Sequence, residues 1–314
     1  MDIVRTPDQQ FAHLPGYDFA PHYVEIPSGS GQSLRVHYLD EGPVDADPIL
    51  LMHGEPSWSY LYRHMIGPLV TAGHRVVAPD LVGFGRSDKP TATGDYTYAR
   101  HIGWMSALLF DMLDLRNITF FGQDWGGLIG LRLMTAQPER FDRVIVANTG
   151  LPTGEFPLGE AFAAWQKFSQ EVPDLPVGAI INGGCTTDLP AEVIAAYDAP
   201  FPDDSFKAGA RVFPTLVPTS TDDPESAANI DAWSVLSTFD KPLLTCFSDQ
   251  DPITRGGDQL FQAKVPGAHG QPHTTITGGG HFLQEDRGPE LAALINEFIA
   301  ATPSSSPSSS HGVR

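Results

Sequence analysis

A chain of 314 residues with 19 basic against 38 acidic side chains carries a formal charge of −19, which disfavours nucleic acid and anionic membrane surfaces as partners. Its 41% hydrophobic and 18% charged content is that of a globular protein with a sizeable core, arguing against disorder over most of its length. Cys185 and Cys246 are too few for a disulfide framework and lie in no metal-ligand spacing, and no run approaches the ~20 apolar residues of a membrane-spanning helix. Residues 1–14 contain no apolar run resembling a signal peptide, so a cytoplasmic protein is expected.

Taken in chain order, residues 34–38 alternate with Leu34, Val36 and Tyr38 and predict a strand. Residues 48–52 and 75–78 predict buried strands, each stopped by Gly, Pro or Asp. Residues 117–121, a tight Gly-bearing turn, a helical stretch at 128–135 and an apolar run at 144–147 form a strand–turn–helix–strand unit. From about 151 to 230, prolines, glycines and short helical patches replace strand-like runs. So long a structureless loop is unusual inside a compact domain, and the stretch is read as an inserted helical cap. The alternation resumes at 242–247, at 274–276 and in the helical 289–300, whose Leu291, Leu294, Ile295 and Phe298 recur at helical spacing. This order predicts an α/β fold, a mostly parallel central sheet flanked by helices. The core would span 1–150 and 231–302, the cap 151–230, and the Ser- and Pro-rich residues 303–314 a disordered tail.

The segment Gly122-Gln123-Asp124-Trp125-Gly126 sits where a strand must turn sharply into a helix. It matches Gly-x-nucleophile-x-Gly, in which flanking glycines allow a strained turn that lifts the central side chain above the sheet. A carboxylate there attacks carbon directly and needs no base to activate it. An Asp capping the following helix would give the same five letters, so the motif alone does not decide. The glycines at 126, 127 and 130 form no Gly-x-Gly-x-x-Gly fingerprint, which argues against a nucleotide site.

Two further loops supply context: His53-Gly54-Glu55-Pro56 and the tight turn Asp80-Leu81-Val82-Gly83-Phe84-Gly85-Arg86-Ser87, for which a structural role is expected. With these, the chain resembles the α/β-hydrolases. That resemblance implies an oxyanion hole from the backbone N–H groups of Glu55 and Trp125, and a nucleophile–acid–histidine order along the chain. His281, after Gly278-Gly279-Gly280, then fits the base. Asp251 in Ser248-Asp249-Gln250-Asp251-Pro252 fits the acid better than Asp249, because the family places the carboxylate immediately before the proline.

Gln123-Asp124-Trp125-Gly126-Gly127 together with His53-Gly54-Glu55-Pro56 is similar to the haloalkane dehalogenases, along nearly the whole chain. The resemblance implies an enzyme that metabolises or detoxifies small halogenated alkanes with water and no metal or organic cofactor. Asp124 would displace halide, and the indole N–H groups of Trp125 and of Trp165, in Phe162-Ala163-Ala164-Trp165, would grip the leaving anion. His281, oriented by Asp251, would activate water to hydrolyse the ester, giving alcohol, halide and a proton. The Glu55 side chain would either help position that water or bond nearby backbone. Phe162, Phe168 and Leu175 are expected in the substrate pocket, whereas Trp58, Trp104 and Trp233 are read as packing residues. An epoxide hydrolase of the same fold would use the same triad with paired cap tyrosines, but Tyr197 is the only tyrosine between 151 and 230. A non-catalytic ligand-binding relative would usually lack a triad member.

Overall fold

The apolar runs become strands and the intervening amphipathic stretches helices in the computed structural model, which describes residues 1–303. The chain opens with β1 (Ile3–Val4), β2 (His22–Pro27), β3 (Ser33–Glu41) and β4 (Pro48–Met52). Next come α1 (Arg63–Thr71), β5 (Arg75–Pro79), β6 (Lys89–Pro90), α2 (Tyr98–Ser106), β7 (Ile118–Gln123), α3 (Trp125–Ala136) and β8 (Phe141–Ala147). A run of helices follows: α4 (Glu160–Glu171), α5 (Val177–Gly184), α6 (Ala191–Asp198), α7 (Ala208–Val212) and α8 (Ser226–Leu236). The chain then returns to the sheet through β9 (Leu243–Ser248), α9 (Asp258–Lys264), β10 (Thr274–Ile276) and α10 (Leu283–Ala301).

Eight strands form one sheet in the order β10-β9-β8-β7-β4-β5-β3-β2, and β1 pairs with β6 in a separate small ribbon. Pairing is parallel from β10 through β5 and antiparallel only where β3 and β2 close the far edge. Every residue of β4, β7 and β9 is buried, which is why these strands read as continuous apolar runs: helices cover both faces. The expected α/β fold, a mostly parallel sheet flanked by helices, is the one the chain adopts. Parallel register carries the carboxyl ends of the central strands to one rim. Met52 pairs with Gly122, Gln123 with Ala147, and Ile276 with Ser248, so the loops bearing Glu55, Asp124, Asp251 and His281 leave the sheet side by side.

Some boundaries differ from expectation. The helix expected at 289–300 begins six residues earlier, at Leu283, and bends at Arg287, whose φ of −141° is not helical, just ahead of Pro289. Between β8 and β9 there is no strand among the described residues. Residue 230, the expected end of the insertion, falls inside α8, which lies against α3: Arg132 donates to Glu225 at 3.1 Å and to Asn229 at 2.9 Å. The expected tail lies, from residue 304 onward, outside the described residues. Among the described residues no helix is long and apolar enough to cross a membrane.

Candidate active site

Asp124 occupies the turn between β7 and α3 with φ 50° and ψ −129°, the left-handed side of backbone space that a residue with a Cβ rarely adopts. Such a conformation costs about 1–3 kcal/mol and persists only where the surroundings over-determine it. Here Asp124 donates its N–H to the Asn148 carbonyl at 3.0 Å. Its own carbonyl accepts from the N–H groups of Gly127 at 2.9 Å and Leu128 at 3.1 Å, and from the Thr149 hydroxyl at 2.7 Å. Gly126 lets the start of α3 approach β4, since a Cβ at that position would collide with the Met52 and His53 carbonyls. The Glu55 N–H donates to Asp124 Oδ1 at 2.7 Å. Trp125 stands at the first position of α3, where the backbone N–H has no intrahelical acceptor.

His281 lies beside this carboxylate. Its Nδ1 donates to Asp251 Oδ2 at 3.0 Å, and its Nε2 lies 3.6 Å from Asp124 Oδ2. Asp251 is fully buried and also accepts from the Ile253 N–H at 2.9 Å, the Thr254 N–H at 3.3 Å and the Thr254 hydroxyl. The rival Asp249 instead accepts the Gly278 N–H at 2.7 Å, bracing the glycine loop. Burial opposes ionisation of Asp251, but the charge and hydrogen bond of His281 outweigh it and hold the carboxyl down at about 2. Burial likewise opposes a charged His281, yet Asp251, followed by Asp124, pushes the imidazole up to about 10. The Glu55 carboxyl moves the other way: burial, reinforced by the Asp124 charge, raises it well above the usual carboxylate range, and its Oε1 has no protein partner.

Two polar residues brace the histidine without having been assigned a role from the sequence. Gln123 Nε2 donates to the His281 carbonyl at 3.1 Å and approaches the ring Nε2 at 3.2 Å, a contact in which a neutral ring accepts. Asn148 Nδ2 donates to the carbonyls of Gly280 at 2.9 Å and His281 at 3.1 Å, while its Oδ1 accepts the Ser248 N–H at 2.8 Å. The signal that could have found them is positional: each is an amide ending an apolar run, at the last residue of β7 and just after β8.

Asp124, Trp125, Trp165, Phe162, Phe168, Glu55 and His281 border one cavity of about 740 Å³. Two indoles in its wall, Trp125 and Trp165, donate to no protein acceptor among the described residues, and Tyr98 and Phe213 pack against Trp125 at 4.9 and 4.7 Å. Trp104 and Trp233, by contrast, spend their N–H groups on the Ser28 carbonyl at 3.2 Å and the Leu151 carbonyl at 2.8 Å, and Trp58 is fully buried in the core. Leu175 does not border the cavity. It is fully buried in the core after α4, and Ile180 of α5 supplies apolar wall instead. The Asp80 turn is held internally, its carboxylate accepting from His37 Nδ1 at 2.7 Å and from the Ser59 and Arg86 N–H groups at 2.8 Å. Among the described residues no group of three or more His, Cys, Asp or Glu is placed to hold a metal ion.

Comparison with known proteins accords with this geometry. The sequence profile of the alpha/beta hydrolase fold matches residues 47–287. A haloalkane dehalogenase of Psychrobacter cryohalolentis is 59% identical over 303 residues, covering 96% of this chain and 100% of its own. One from Mycolicibacterium paratuberculosis is 51% identical over 295 residues, covering 94% and 97%. Among solved structures, the tetrameric haloalkane dehalogenase DpaA from Paraglaciecola agarilytica NO2 superposes with a TM-score of 0.88 at 36% identity, covering 96% of this chain and 99% of that one. The chain therefore belongs to the haloalkane dehalogenases, enzymes of the α/β-hydrolase fold that act on carbon–halide bonds.

Proposed function

We propose that the chain hydrolyses small haloalkanes in two steps through an alkyl ester on Asp124. The observation that carries this reading is a nucleophile-ready carboxylate facing the same apolar cavity as two indole N–H groups that no protein atom uses. In the first step an Asp124 oxygen attacks the halogen-bearing carbon, the carbon–halogen bond breaks, and the halide leaves between the indoles of Trp125 and Trp165. Those donors count most where charge develops in a site that excludes water.

In the second step His281, oriented by Asp251, takes a proton from water as the oxygen adds to the ester carbonyl of Asp124. The N–H groups of Glu55 and Trp125 hold the resulting oxyanion, and its collapse breaks the ester C–O bond. The departing oxygen, which Asp124 contributed, takes the proton from His281 to leave as alcohol, while the regenerated Asp124 carboxyl loses its own proton to solvent. Esterification removes the Asp124 charge, one of the influences that keep His281 protonated, so the first step prepares the base for the second. The unpartnered, buried Glu55 side chain supports a part in positioning that water.

In the same reading, residues 151–230 form the cap over a core of 1–150 and 231–302, a division supported by the α4 residues Phe162, Trp165 and Phe168 in the cavity wall. The partners are a haloalkane, water and the released halide; the net charge of −19 supports neither nucleic acid nor an anionic membrane as another. The free thiols Cys185 and Cys246 support a cytoplasmic workplace. Epoxide hydrolysis is less well supported, because Tyr197 is buried, donates to Glu285 and does not border the cavity. A single turnover in heavy-oxygen water with excess enzyme tests the ester. Mostly unlabelled alcohol is expected, and immediate full labelling would overturn covalent catalysis.

A further inference from the structure

We propose that Asp286 is a positioning residue for ester hydrolysis, clamping the loop that carries His281 to the end of α5 so that the base is aligned only while the helical insertion is seated. The inference rests on the reading of His281 as the base.

The backbone around His281 is held from two sides. From the sheet side, Gln123 and Asn148 donate to its carbonyl, each at 3.1 Å. From the other side, the His281 N–H donates to the Gly184 carbonyl, the last residue of α5, at 2.7 Å. The preceding residue, Gly280, donates its N–H to Asp286 Oδ2 at 2.8 Å. The same carboxylate accepts the Thr187 N–H at 2.8 Å and the Thr186 N–H at 3.0 Å, and the Thr186 hydroxyl returns to the Gly278 carbonyl at 2.6 Å. One side chain in the first turn of α10 thus collects N–H groups from both the histidine loop and the insertion.

The contact is close enough to demand glycine at position 280, where a Cβ would strike the Gly184 carbonyl. Among the described residues Asp286 forms no ion pair, and backbone N–H groups hold its carboxyl below the usual range against the opposing effect of burial. It is fitted to hold loops together rather than to neutralise a cation. Charge-assisted bonds of this kind are about twice as strong as neutral ones. Neighbouring Glu285 is occupied separately, by Arg63 of α1 and Tyr197 of α6.

The two chemical steps depend on this clamp unequally. Ester formation uses Asp124, Trp125 and Trp165, whereas hydrolysis needs His281 in register with both Asp251 and the ester carbonyl. A misplacement of about 1 Å at a catalytic group costs on the order of a hundredfold in rate.

The test is rapid-quench single turnover of the full chain with butyl bromide, following bromide, butanol and the alkylated Asp124 peptide by mass spectrometry in wild type, Asp286→Ala, Asp286→Asn and His281→Gln. For Asp286→Ala the bromide burst should stay within about twofold, while hydrolysis slows roughly tenfold to a hundredfold and the alkylated peptide accumulates. Asp286→Asn, which keeps the shape and one acceptor oxygen, should fall between it and wild type. Unchanged hydrolysis, or both steps slowed in equal proportion, would overturn the clamp. Absence of alkylated peptide in His281→Gln would instead overturn the assignment of the base, and the clamp with it.

Discussion

At the scale of single residues, the electrostatics of the site centre on His281. Its imidazole is held up at about 10 by Asp251 and Asp124 together, although burial pulls it down. Removing one carboxylate removes part of what favours the charged form, so Asp124→Asn should lower the His281 value below that of wild type. Titration of the imidazole by NMR measures it, and an unchanged value would show that Asp124 and His281 are not coupled. The indoles offer a second test. Replacing Trp165 by Phe keeps the apolar wall and deletes one donor, which should slow halide release on the order of a hundredfold, as loss of an oxyanion donor does elsewhere. Trp104→Phe, whose N–H is already taken by Ser28, should leave that rate nearly unchanged; equal losses in the two variants, read by bromide release, would deny Trp165 its role.

At the scale of elements, α10 ties distant parts of the chain together. Arg63 of α1 and Glu285 of α10 pair with side chains only 3% and 2% exposed, and Tyr197 of α6 joins the same carboxylate. Glu285→Gln would leave a guanidinium buried with its charge uncompensated, which typically costs about 3–5 kcal/mol. The urea midpoint should fall accordingly at unchanged slope, and a variant as stable as wild type would mean that water compensates Arg63. Most strands were legible beforehand, whereas most helices had no bounds legible in the sequence. The strand at 48–52 occurs as expected because an unbroken apolar run between turn residues has few alternatives in a sheet covered on both faces, whereas the strand expected at 274–276 forms at the sheet edge as Thr-Thr-Ile with only Ile276 buried. β2, by contrast, alternates poorly, with Ile26 its single fully buried residue, and gave no comparable signal. Leu175 carried an ambiguous one: an apolar residue in a helical insertion can face either a cavity or the packing beneath it, and only the path of the chain after α4 turned it inward.

At the scale of the whole molecule, the Asp251–His281 pair couples the site to stability. Asp251 falls from its ordinary 3.8 to about 2, so its contribution is complete above 3.8 and is lost as pH falls through about 2. His281 rises from 6.5 to about 10, so its contribution is complete below 6.5 and is lost as pH climbs through about 10. The difference in Tm between wild type and His281→Gln should therefore be greatest between about pH 4 and 6.5 and shrink on both sides; a difference independent of pH would mean that the pair adds nothing electrostatic to folding.

The order of the central strands, the carboxylate at the elbow and the loops that approach it were determined by the sequence alone, because hydrophobic periodicity and turn residues act over short spans. Tertiary structure decided what depends on segments far apart in the chain meeting. Trp125 and Trp165 share a cavity, Gln123 and Asn148 reach the His281 carbonyl, and Asp286 gathers N–H groups from residues about a hundred positions away. No local pattern encodes such meetings, since the donors are backbone amides and common side chains whose partners are set by where the sheet and the insertion bring them.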